Sequence, residues 1–106
     1  MKNPTSMLFL LSFLFAGTVV AGEYTQKGYI TEVKANIQGS TCDIMISSSV
    51  GGGNLQGGTW DCNSFMGQNL LDVARMASVL GLKVAVTLEG NGADYKPVYA
   101  INIINH

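Results

Sequence analysis

Polar and apolar positions alternate between Gly28 and Asn36 (GYITEVKAN). Tyr29, Thr31, Val33 and Ala35 fall on one face, and Ile30, Glu32 and Lys34 on the other. A period of two with β-branched residues predicts a strand with one wet face. Glu23 to Lys27 reads as a polar lead-in. Gln38-Gly39-Ser40 is turn chemistry. Cys42 to Ser47 (CDIMIS) alternates again, with Cys42, Ile44 and Ile46 inward and Asp43, Met45 and Ser47 outward. These two runs predict an antiparallel hairpin. Ser48 to Gly58 (SSVGGGNLQGG) reads as a flexible glycine loop. It lacks the Gly-Lys-Ser/Thr ending of a phosphate cradle and does not open onto a helix as GxGxxG does. Thr59 to Cys62 is then a short strand.

The period changes at Ser64. Met66, Leu70, Val73, Ala77 and Leu80 recur at helical spacing, widened by Ala74 and Met76, and predict a helix from Ser64 to Leu80 buried along that stripe. Gln68, Asp72, Arg75 and Ser78 take the other face. Asn63 or Ser64 can cap the start and Gly81 the end. Val84, Val86 and Leu88 share one side of a further strand, Lys83 to Leu88. Asn91-Gly92 marks a turn, and Pro97 to Ile104 is the last strand. The order predicts an α+β domain: a small antiparallel five-stranded sheet, or a partly open five-stranded barrel with one helix.

Composition changes the picture first at the N-terminus. Lys2, the apolar run Met7 to Gly17 and the small residues ending at Ala21 predict a secretory signal peptide over residues 1–21. The apolar core is shorter than the ~20 residues of a bilayer span, so no membrane span is expected after cleavage. Residues 22–106 then form a single domain. Its two cysteines, Cys42 and Cys62, pair as a disulfide in an oxidising compartment. The chain is exported, to the periplasm or beyond.

Charge excludes more than it identifies. Net charge is −1 and 12% of residues are charged, which gives no footprint for nucleic acid. Seven carboxylates are scattered without visible pairing, and the one histidine is the terminal His106. No catalytic residue, metal site or cofactor is expected, and the chain reads as a non-enzyme. Trp60 divides between core packing and a binding surface. Tyr95, in a polar loop, is the aromatic expected to be exposed.

Taken together, these features resemble the binding (B) subunits of AB5 toxins, in the subtilase-cytotoxin and pertussis-like branch. The similarity runs through YITEV at Tyr29 to Val33, the cysteine pair around a Gly/Ser loop, and above all Phe65 through Leu88. The resemblance implies an OB-like fold, assembly as a ring of five with helices lining the pore, and binding of surface glycans. In that branch a serine before the first strand and a tyrosine after the helix hold the glycan. Gln26 and Leu88 stand there in this chain, and a further C-terminal cysteine pair is missing, so that site does not carry over. Its neighbours Thr25, Thr31, Glu32 and Thr87 join Trp60 and Tyr95 as candidate binding residues. The expected function is an exported glycan- or protein-binding module, as a homo-oligomer. The alternative is a small periplasmic structural or inhibitory protein acting on a protein partner.

Overall fold

The computed structural model describes residues 22–92 and 94–104. The expected signal peptide and His106 lie outside the described residues. Five strands and one helix follow in the order β1 (Glu23–Asn36), β2 (Thr41–Ser47), β3 (Asn54–Asp61), α1 (Phe65–Leu80), β4 (Lys83–Glu89) and β5 (Lys96–Ile103). The strands close into a barrel in the order β1-β2-β3-β5-β4, with β4 pairing back to β1. The class is the expected α+β, OB-like one. The barrel is closed rather than partly open, and it is mixed, because β3 and β5 pair in parallel at Gly58–Lys96 and Thr59–Pro97.

Closure depends on β1 being longer than its alternating core. The expected lead-in, Glu23 to Lys27, is strand that pairs with β4, whereas Tyr29 to Asn36 pairs with β2. One strand thus serves two neighbours. Between Ile30 and Glu32 the register slips, leaving Thr31 as an extra residue. Such a bulge inverts the alternation beyond it. Ile30 and Val33, expected on opposite faces, therefore both pack on the core.

Inside the barrel lie Ile30, Ile44, Ile46, Val84, Val86, Leu88 and Val98. Each contributes about 1.5–3 kcal/mol on burial. Space between them is made by β3. The run expected to be a flexible loop is strand from Asn54 onward. A Cβ on Gly58 would sit 2.5 Å from Val98 Cγ2 and 3.1 Å from Leu88 Cδ2. The glycine is there because the core fills its side-chain volume. The expected disulfide joins Cys42 of β2 to Cys62, just beyond β3.

The helix begins and ends where the caps place it. Ser64 Oγ accepts from Gly67 N at 2.9 Å, and Gly81 adopts the left-handed conformation (φ 65°) that closes the last turn. Its buried face differs from the expected stripe. Gly67, Leu71, Ala74 and Ala77 are buried, Leu70 and Val73 are half-buried, and Met66, Met76 and Leu80 are exposed. The helix is rotated by roughly a quarter-turn from the expected orientation. Residues of α1 pack against β1 and β5, and its small residues permit a close approach.

Candidate functional site

The outer face of β1, β2 and β3 is organised in rows set by register. Glu32 lies opposite Met45, and Met45 opposite Gly57; the next row is Lys34, Asp43 and Thr59. Gly57 has no side chain to fill its place in the row, and the Tyr95 ring lies over it. A Cβ there would meet Tyr95 Cδ2 at 2.8 Å. Tyr95 remains 45% exposed, so one side of the ring is packed and part of it is open to solvent. Glu32 and Tyr95, two of the expected binding residues, thus share one face with Met45 between them.

A buried glutamine holds that ring in place. Gln56 alternates inward with Gly58 and Trp60. Its Nε2 donates to Gly57 O at 3.0 Å and to Asp94 O at 2.9 Å, while its Oε1 accepts from Gly92 N at 2.9 Å. All three partners are backbone groups, two of them in the β4–β5 loop that leads into Tyr95. A buried amide satisfied on both ends fixes the loop it binds.

Thr31, another of the expected binding residues, also ties strands together. Its Oγ1 lies 3.0 Å from Ser47 Oγ, and Ser47 Oγ donates to Asn54 Oδ1 at 2.9 Å. Thr31 Oγ1 also lies 3.5 Å from Met45 O, so its one proton has two acceptors within reach. Ser47, expected outward, is fully buried at the end of β2. Thr31, Ser47 and Asn54 link β1, β2 and β3 at the bulge.

The remaining candidates separate. Thr25 and Thr87 face one another across β1 and β4, with Ala100 of β5 beyond Thr87. They lie on the opposite side of β1's pairing from Glu32. In the adjacent row Glu23 faces Glu89, and Tyr99 Oη donates to Glu89 Oε1 at 2.9 Å. That hydrogen bond, with the nearby carboxylate charges, raises the Tyr99 pKa above its ordinary 10.0. Glu23 and Glu89 are the one facing carboxylate pair in the described strand registers, and both are exposed on the sheet rather than set in a cleft. Trp60 is in the core at 8% exposure, with Nε1 donating to Gly67 O at 3.0 Å. Leu88, where the resembling family has its glycan-binding tyrosine, is wholly buried in the barrel.

A cleft of about 250 Å³ opens beside the disulfide, between the β1–β2 turn and the start of α1. Ala35, Ile37, Cys62 and Leu71 supply its apolar wall. Its polar groups are largely bonded to one another: Cys62 N donates to Ser40 O, and Gln68 Nε2 to Cys62 O. No group of His, Cys, Asp and Glu among the described residues is arranged to hold a metal ion.

Neither the protein-family models nor the curated proteins give a match to this chain. Its functional reading therefore stands on the geometry above. Gln56 is the residue that sequence reasoning missed. Gln56 had a signal: with Gly58 and Trp60 it keeps a period of two through the glycine run. The hydrogen-bond partners of Ser47 and Tyr99 had none, because they lie on other strands.

Proposed function

We propose that this chain is an exported, non-enzymatic binding module that recognises a surface glycan through the outer face of β1–β2–β3. The observation that carries this is the Tyr95 ring, laid over Gly57 by a loop that Gln56 pins and aligned with Met45 and Glu32. A half-open aromatic face can stack on the C–H side of a sugar ring. A carboxylate two strands away, roughly 10 Å across the sheet, can accept from its hydroxyls. Because the platform is held before a ligand arrives, little ordering is needed on binding. The OB-like barrel agrees with the fold that the toxin B-subunit resemblance implies, but a shared fold does not by itself carry function.

The test is a glycan array probed with the disulfide-bonded protein, followed by titration of any hit. Tyr95→Ala should weaken binding by about tenfold or more, as removal of an aromatic anchor does. Glu32→Ala should weaken it less, and Thr25→Ala should leave it unchanged. An empty array, together with capture of one stable protein partner from periplasmic extract, would replace this reading with the inhibitory alternative.

A further inference from the structure

The outward face of α1 is apolar at both ends. Phe65 and Val79 are each 81% exposed, Met66 65% and Leu80 63%, with Met76 beside them. Exposed apolar clusters of this kind mark an interaction site. Phe65, Asn69, Asp72, Met76 and Val79 recur at alternating steps of four and three, the spacing of a helix–helix seam. The seam has an internal order: Phe65 and Met66 form an apolar N-terminal end, Asn69, Asp72 and Arg75 a polar middle, and Met76, Val79 and Leu80 an apolar C-terminal end. Val50 lies against that last end, 3.9 Å from where a Cβ on Gly81 would be, and is itself exposed.

We infer that this face docks a second copy of the same chain, the two helices packing antiparallel about a two-fold axis through the middle of the seam. Antiparallel packing sets Phe65 and Met66 of one copy on Val79 and Leu80 of the other, so both apolar ends are covered. The axis passes beside Asp72, so each Asp72 faces its own image, flanked by the Arg75 three positions along either helix. These side chains pair within the helix at 3.1 Å and are well exposed, so the middle of the seam is neutral and can match its own image. The helix ends favour the same arrangement. No acidic residue occupies the first turn and no basic residue the last, which leaves both ends of the dipole uncompensated. An antiparallel neighbour places a negative end beside each positive one. A ring with its axis along the helices would align them in parallel, setting like ends together. No residue of the seam belongs to the Tyr95 face, so this inference does not rest on the glycan reading.

Native mass spectrometry and sedimentation of the disulfide-bonded chain at roughly 50 µM, where a micromolar Kd leaves most copies paired, should give the mass of two copies. Val79→Glu and, independently, Met76→Glu should each give one copy with an unchanged circular-dichroism spectrum. Orientation is read from cysteine pairs: Phe65→Cys mixed with Val79→Cys should cross-link far more than Phe65→Cys with itself. A one-copy or five-copy mass for the unaltered chain, or preferential self-cross-linking of Phe65→Cys, would overturn the proposal.

Discussion

Both faces of α1 carry apolar residues, yet these differ in size. Gly67, Leu71, Ala74 and Ala77 face the barrel, while Phe65, Met66, Met76, Val79 and Leu80 face away. Hydrophobicity alone assigns the larger side chains to the core. Distance decides otherwise. Only Cys62, Asn63 and Ser64 separate β3 from the helix, and Trp60 of β3 donates to Gly67 O in the first turn. A Cβ on Gly67 would lie 2.2 Å from Asp61 O. The first turn is thus drawn onto the end of β3, and of the fully buried helix positions only Leu71 carries a side chain larger than alanine. A close-packed helix is recognised by its small residues, and its large apolar residues can be left facing outward.

Removing the tether should have the largest effect. The disulfide crosses a sequence separation of 20 and anchors the segment that leads into α1. Replacing Cys42 and Cys62 together with alanine should cost about 3 kcal/mol of unfolding free energy, measured by urea denaturation. Next comes the inward face itself. Ala74 is fully buried, and Ala74→Leu should destabilise by about 1–3 kcal/mol through overpacking. If that variant were as stable as the parent, the helix would not be closely seated.

The helix extent was legible in the sequence because caps are local: Ser64 and Gly81 act on backbone groups three or four residues away. Which face is buried was not, since both faces carry apolar residues at helical spacing. The signal favouring the correct face was Gly67, Ala74 and Ala77, whose meaning depends on how near the barrel comes. The strands Cys42–Ser47 and Lys83–Leu88 were legible with their inward residues, apart from Ser47. The first part of β3, Asn54 to Gly58, was hidden by glycines that lend themselves equally to loops and to tight cores. The Thr31 bulge and the buried Ser47 depend on a chain of hydroxyl contacts across three strands, which no local pattern records. In the candidate site, Tyr95 was recognisable as an exposed aromatic, but its support by Gln56 joins residues 36 to 38 positions apart.

Away from the helix, the β1–β4–β5 face offers a smaller contrast. Glu23 and Glu89 are like charges in directly opposed positions. Glu23→Lys should therefore stabilise the barrel by about 0.2–1 kcal/mol, seen as a raised denaturation midpoint that fades at high salt. The smallest effect concerns Tyr99. Its O–H bond to Glu89 favours the neutral phenol, so its pKa is higher folded than unfolded. The associated stability is present below the unfolded value and is lost as pH rises through the folded one. An ultraviolet pH titration should show a tyrosine ionising above 10.0 that moves down in Glu89→Ala.

The assignment of the two helix faces is tested most directly by urea unfolding of Ala77→Asp and Val79→Asp, at a dilution that keeps copies apart. Ala77 is 1% exposed and Val79 81%, only two positions away. An unpaired charge buried at Ala77 should cost several kcal/mol or prevent cooperative folding, whereas Val79→Asp should stay within about 0.5 kcal/mol of the parent. A folded Ala77→Asp beside an unfolded Val79→Asp would contradict the account.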